Sequence, residues 1–524
     1  MNLIISDLRV PVENDTVPEY LKAATARLGV DRENIKLVKI ISKSLDSKNK
    51  EQFFYELTVV VTVPETFINK ENLPPYNEAQ TKTITPKSNK EKAIIIGFGP
   101  AGMFAALELI ERGIKPVIFE RGKKIEERSV DVEKFFKERT LDPESNIQFG
   151  EGGAGSYSDG KLFSRMGGNT GYMNRVFHTL IKLGAPEEIL YINKPHLGTD
   201  MLCKIVKKIR GHVLEYGEIF YSSKMTDLIV SEGRAVGVVI NGEREFLAPK
   251  IYLAIGHSAR ETFDLLQRKG VALERKPISV GLRIEHPAEI INLMRYGDKY
   301  KNYSAIGPAF YSFTHNGGDR GVCSFCMCPG GEVLNASSEN ALLAVNGMSY
   351  SARSSKFSNS AIVVACQPDD YGPGGPLAGI EFQKDIERKA FSAGGGNWKV
   401  PAQNLPDFLA GRTSKVLNTN SCRSGTKSAD LNEVLPRYVC EALRSAFNKW
   451  KQDYPAFVSE NAVLLGAETR TTCPVRIKRG DSFESESTKG LYPIGEGSGH
   501  AGGITSSAID ALKAVEFSQA EGNY

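Results

Sequence analysis

Residues 92–120 constrain this chain more than any other stretch. Lys92-Ala93-Ile94-Ile95-Ile96 reads as a short buried strand, Gly97-Phe98-Gly99-Pro100-Ala101-Gly102 as a tight turn that opens a helix running through Leu109, and residues 115–119 as a second strand ending at Glu120. Each part has a task if the turn holds a dinucleotide. Gly97 permits the turn, Gly99 lets the backbone approach a pyrophosphate, and Gly102 lets helix and strand pack closely. The helix N-terminus, with Pro100 and Ala101 in its first turn, offers N–H groups and a partial positive charge to phosphates. Glu120 stands eighteen residues beyond Gly102, which places a carboxylate, with Arg121 beside it, where a ribose diol would lie. Residues 93–110 are also the most apolar run, but three glycines, Pro100 and Glu108 interrupt it. Strand, turn and helix therefore fit better than a membrane span.

The chain has 524 residues, which at ~150 per domain suggests about three domains. A hydrophobic fraction of 41% with 24% charged residues excludes disordered, collagen-like and disulfide-scaffold classes. Sixty-six Lys and Arg against 62 Asp and Glu leave a net charge of +4, so no bulk field points to nucleic acid or membrane as the main partner. Eight cysteines are too few for a disulfide framework at this length, and Asp7 and Arg9 interrupt the apolar start. The expectation is a reduced, cytoplasmic protein.

Residues 1–64 read as a small α/β domain and residues 65–90, polar and rich in proline, as a linker. Five lysines in residues 36–50 admit a nucleic-acid role for this domain, but residues 1–90 hold 13 basic and 12 acidic side chains, so a solvated hairpin tip is the favoured reading. From residue 91 strands and helices alternate, the pattern of a doubly wound, Rossmann-like α/β domain. Residues 91–274 form its first part and 476–524 its closing segment. Residues 275–475, with helices read from Asp385 and from Glu433, look like an inserted mixed α+β domain that covers the site and selects the substrate.

Residues 226–256 read as three short strands with turns at Glu232-Gly233 and Asn241-Gly242, then a buried strand ending at Gly256. This meander resembles that of FAD-dependent oxidoreductases with one dinucleotide fold. The C-terminal run Leu491-Tyr-Pro-Ile-Gly495-Glu496, followed by Gly502-Gly503-Ile504 and an apolar helix through Val515, looks like the closing flavin motif of that superfamily, with Glu496 where Asp is more usual. By that likeness the helix opened by Gly502, Gly503 and Ile504 would stabilise negative charge on a reduced flavin. Residues 146–165, Cys326-Met-Cys328-Pro-Gly-Gly, the GGGNWKVPAQ run from Gly394 and the closing motif resemble the uncharacterised FAD-dependent dehydrogenase family of bacterial flavoproteins. The resemblance implies noncovalent FAD and places Gly153, Ser158, Asp159, Gly160 and Lys161 beside the flavin. Turn formation and capping is the alternative role for these residues.

Cys323, Cys326 and Cys328 are the sharpest reactive cluster, able in principle to exchange electrons with a flavin, with small buried hydrophobes as the default reading. They lack the second C-x-x-C that a metal site would want, so no metal is expected. His257, His286 and His500 are candidate proton carriers, with His500 nearest the expected flavin, while Arg283, Arg423 and Lys427 could meet an anionic substrate but would ordinarily be surface cations. No second G-x-G-x-x-G with strand context exists, so NAD(P)H, if used, docks transiently. The reading is an FAD-dependent oxidoreductase acting on a small-molecule substrate, with a flavin-dependent RNA-modifying enzyme and a redox-sensing or structural flavoprotein as alternatives.

Overall fold

The structure, a computed structural model, describes residues 1–77, 91–162 and 170–520. Residues 78–90 of the expected linker and residues 163–165 of the resemblance stretch lie outside the described residues.

The run Lys92–Ile96 is the central strand of a five-stranded parallel sheet ordered Leu491–Pro493, Ile251–Leu253, Lys92–Ile96, Lys115–Phe119, Glu218–Phe220. Helix Pro100–Glu111 crosses from the third of these to the fourth and is buried on almost every side. Its unusual apolarity follows from that position: the sheet lies on one face and helix Ile504–Ala520 packs on another. The meander Met225–Ser231, Arg234–Ile240, Arg244–Leu247 forms a separate antiparallel sheet. Both of its expected turns carry positive φ, at Glu232-Gly233 and Asn241-Gly242, as tight hairpins require.

Strands Leu273–Arg275 and Val475–Ile477 pair antiparallel where the chain leaves this fold and returns to it. Between them a seven-stranded sheet runs Thr314–His315, Val322–Cys328, Phe357–Cys366, Ile278–Pro287, Val463–Glu468, Val400–Asn404, Thr426–Ser428. Its helices start where the periodicity alone did not place them. The helix expected from Asp385 spans Ala378–Ala393; its buried face includes Gln383 and Glu387, so the apolar repeat was masked by polar core residues. The helix expected from Glu433 spans Arg437–Asp453, because Pro436 holds the extended backbone that precedes its first turn.

The N-terminal strands Asn2–Pro11, Phe54–Thr62 and Lys36–Asp46 form an antiparallel sheet with Phe54–Thr62 in the middle, and helix Val17–Leu28 closes on left-handed Gly29. This unit does not have a core to itself. Its buried face, including Leu3, Leu57 and Val59, is continuous with that of the inserted domain. Phe53, fully buried, stacks on Tyr300 at 4.1 Å between ring centroids, and Tyr300 donates to Glu13 at 2.6 Å. Burying such a side chain contributes about 1.5–3 kcal/mol. Of the hairpin lysines, Lys43 is paired with Asp15 at 2.6 Å and Lys50 donates to the Met294 carbonyl, so part of that charge is engaged internally.

Candidate functional site

A cavity of about 870 Å³ opens at the carboxyl ends of the parallel strands, with Ile96 and Phe119 on one wall and Tyr311, Phe325 and Glu468 of the inserted domain on the other. The glycine turn forms its floor. Gly97 has φ +99°, and a Cβ there would collide with the Ala254 carbonyl. A Cβ on Gly102 would strike the Gly97 carbonyl, so Gly102 closes the helix onto the strand and does not line the cavity. Gly99, Pro100 and Ala101 do line it. The first intrahelical bond is Met103 N–H to the Gly99 carbonyl at 2.9 Å, which leaves the preceding first-turn amides for a ligand.

Glu120 is buried, and its carboxylate accepts three backbone amides: Phe98 at 2.8 Å on one oxygen, Gly122 at 2.9 Å and Gly150 at 3.0 Å on the other. A carboxylate has about four acceptor positions. Three fasten the loops around the cavity and one remains, on the oxygen that holds Phe98. Arg121 lies over the Phe149 ring at 3.8 Å and pairs with Glu144 and Glu261, at 2.8 and 2.6 Å. Its guanidinium is thereby held against the wall.

The 3-10 turn Gly153–Tyr157 meets the glycine loop, since a Cβ on Gly153 would press on Gly99 at 3.0 Å. Ser158 donates to the Gly155 carbonyl and accepts from Gly160 N–H, so its hydroxyl serves the turn. Gly160 packs on the Gly198 amide. Asp159 is buried, accepts from Ser349 and pairs with Arg353 at 2.6 Å. Burial pushes its carboxyl up, but Lys161 and Arg353 overcome this and hold it below the ordinary range. Lys161 sits 3.3 Å from Asp159, and among the described residues its buried ammonium makes no hydrogen bond.

On the closing segment, Gly495 packs on Ala101 and gives its N–H to Asp510 at 2.8 Å, outside the cavity. Glu496, Gly502, Gly503 and Ile504 line it, as does Gly256. A Cβ at Gly256 or Gly502 would meet nothing within 4 Å. These two bare backbones face open space, which is how a cradle for a flat ligand is left clear. Burial pushes the Glu496 carboxyl up to about 7. His257 lies 4.0 Å from Glu496, and burial, then Arg470 and Arg260, drive its imidazole down to about 3, so it is neutral. His500 lines the cavity with Nε2 at 3.0 Å from the Ile477 carbonyl.

Some expectations do not survive. His286 is in the core, with Nε2 at 2.7 Å from the Phe457 carbonyl, and does not line the cavity. Arg283 is no surface cation: it is fully buried and pairs with Glu468 at 3.0 Å. Arg423 and Lys427, by contrast, are exposed as surface cations would be; Arg423 pairs with Glu133 at 2.6 Å, and neither lines the cavity. Among the described residues no group of three or more His, Cys, Asp or Glu is arranged to hold a metal ion.

Two features escaped sequence reasoning. Arg128, fully buried, donates to the carbonyls of Asn146, Ile147, Gly150 and Glu151, bracing the loop that meets Glu120. Glu387 of the inserted domain accepts from Arg260 of the parallel-sheet domain and from Arg470, the nearest contacts being 2.8 and 3.0 Å. This network clamps the two halves of the cavity together. Isolated Arg and Glu residues in the sequence carry no sign of either.

Residues 277–471 match a family described as FAD-dependent protein, C-terminal domain-like. A Clostridium beijerinckii protein described as uncharacterized is 40% identical, over 98% of both chains. A glycerol-3-phosphate dehydrogenase from Bacillus halodurans, solved with FAD, is 12% identical over 83% of this chain and 66% of its own, with a TM-score of 0.36. A 3-ketosteroid-delta4-(5alpha)-dehydrogenase from Rhodococcus jostii is 11% identical over 82% of this chain and 98% of its own, with a TM-score of 0.34. No helix among the described residues is long and apolar enough to cross a membrane.

Proposed function

Because the chain belongs to a family of bacterial FAD-dependent proteins, shared across nearly its whole length with the Clostridium beijerinckii protein, we propose that it is an oxidoreductase using noncovalent FAD, with hydride passing to or from a small-molecule substrate and NAD(P)H as a transient donor. The observation that carries this reading is the cradle itself: an open helix N-terminus at Gly99, and bare backbone at Gly256 and Gly502 facing unfilled space in one cavity. A dinucleotide is the kind of ligand that would use both features at once.

FAD bound there supplies two-electron chemistry at its ring. The chain's own residues do the holding. First-turn amides of helix Pro100–Glu111 would take the pyrophosphate, and the remaining acceptor position of Glu120 one ribose hydroxyl. The N-terminus of helix Ile504–Ala520 lies opposite and would favour negative charge on the ring. Tyr311 and Phe325 face this space from the inserted domain and would close the substrate side against water.

The test is an anaerobic visible spectrum of the purified protein before and after NADPH, then NADH. A yellow protein that bleaches with either nucleotide supports a nicotinamide-fed reductase. One that is yellow but unchanged gets its electrons from an organic substrate or holds FAD structurally. A protein that stays colourless after incubation with FAD overturns the proposal.

A further inference from the structure

Strand Val322–Cys328 enters the cavity wall irregularly. Its pairing with Phe357–Cys366 breaks between Phe325 and Cys328, and Cys326 at the break has φ +45°. The consequence is an asymmetric pair of thiols. Cys326 lines the cavity, while Cys328 is fully buried behind it with its thiol 3.4 Å from the Cys326 carbonyl. In a regular strand two residues span about 6.6 Å, close to the limit for a disulfide. The register break and the left-handed residue at Cys326 depart from that extended geometry, and the Cys328 thiol lies against the Cys326 backbone.

The surroundings are charged on one side. Arg283 donates to the Cys326 carbonyl at 2.7 Å and contacts the Cys328 sulfur at 3.5 Å. The Lys161 ammonium is buried beside Asp159, makes no hydrogen bond among the described residues, and is raised by the charge of the two cysteines against its burial. Asp159, held by Arg353, and Glu468, held by Arg283, complete the set. Lys161, 3.3 Å from the Asp159 carboxylate, and Arg283 thus add two positive charges on the side of the two sulfurs.

Resting on the FAD reading above, we propose that Cys326 and Cys328 are a redox-active dithiol that exchanges two electrons with the flavin of this cavity. In the oxidising direction the Cys326 thiolate and the Cys328 thiol lose two electrons and the Cys328 proton. An S–S bond forms, and FAD takes up both electrons and that proton as FADH⁻. In reverse, FADH⁻ returns them, the S–S bond breaks and Cys328 is reprotonated. The thiol of Cys328, with Lys161 and Arg283, pulls Cys326 well below the ordinary thiol range against its burial, while Cys328 is pushed well above it. Cations that stabilise the reduced pair make its disulfide the more easily reduced, which favours transfer from flavin to sulfur.

The experiment is an anaerobic dithionite titration of the diamide-oxidised FAD protein, read by the flavin spectrum, with peptide masses of the same sample. Wild type takes about four electrons per FAD, and its peptide spanning Cys326 and Cys328 is about 2 Da light before reduction. Cys326→Ser and Cys328→Ser take about two, Cys323→Ser still takes about four, and Cys328→Ser gains long-wavelength absorbance from a lone Cys326 thiolate beside oxidised flavin. A yellow wild type that takes two electrons, or whose peptide shows no mass loss, overturns the dithiol and leaves the FAD reading standing. A protein that binds no FAD overturns both. The wild-type measurements decide the matter even where a variant does not fold.

Discussion

Glu387→Gln tests what holds the cavity closed. The Glu387 carboxylate is fully buried and accepts five hydrogen bonds: two from Arg260 at 2.8 Å each, two from Arg470 at 3.1 and 3.0 Å, and one from Thr469 at 2.6 Å. Glutamine has the same shape but one acceptor oxygen, and its amide would point donors at guanidinium donors. Both arginines are themselves buried, at 2% and 6% exposure, and keep only Glu339, Gln383 and serine hydroxyls as partners. Breaking a buried pair in this way costs about 3–5 kcal/mol. Urea unfolding followed by far-UV circular dichroism should show a midpoint lower by roughly 0.5–1 M, since m in a chain of this size exceeds the small-protein range. The pH dependence fixes the cause. Burial raises the Glu387 carboxyl, but Arg260 and Arg470 outweigh it and hold it below its ordinary value. Its contribution is therefore present above the ordinary carboxylate range and is lost as pH falls through its depressed folded value. The gap between wild type and variant should narrow on acidification. A loss under about 1 kcal/mol at neutral pH, or a gap independent of pH, would refute the reasoning.

Gly502→Val places two methyls in open cavity space, so bound flavin per protein should fall severalfold while the melting temperature of the flavin-free protein stays within a degree or two. The raised Glu496 carboxyl works in the opposite sense to Glu387: its ionised form is disfavoured in the folded state, a penalty that develops as pH rises from about 4.5 through about 7. Glu496→Gln should therefore be more stable than wild type at pH 8 and equal to it near pH 4, in flavin-free thermal melts; equal stability at both values would remove Glu496 as a buried acid. Phe53→Ala removes the ring stacked on Tyr300 and should cost about 3–5 kcal/mol, with proteolysis beginning in residues 1–77; an unchanged melt would mean the N-terminal unit is not part of the shared core.

The glycine turn and the closing motif were legible because their work is done by backbone within a few residues: Gly102 is required by the Gly97 carbonyl in the same turn and Gly97 by the Ala254 carbonyl at the end of the adjoining strand, while Gly99 only lines the cavity. Placing Ser158, Asp159 and Lys161 needed the resemblance, and only the fold separates their tasks, a turn for Ser158 and an ion cluster for the other two. Arg283 and Glu468 are 185 residues apart, and Arg260 and Glu387 127 apart. No local pattern links such partners. The polar face of helix Ala378–Ala393 hid its start for the same reason, since Gln383 and Glu387 are core residues whose burial depends on the arginines opposite.

The shared core of the N-terminal unit has a consequence for the order of synthesis. Phe53 leaves the ribosome 247 residues before Tyr300, the ring that covers it. At ~5–20 residues per second the wait is roughly ten to fifty seconds. Strand Leu491–Pro493 and helix Ile504–Ala520, needed to complete the parallel sheet, come later still. The nascent chain thus carries two unfinished apolar faces at once, and neither is closed until most of the protein has been made.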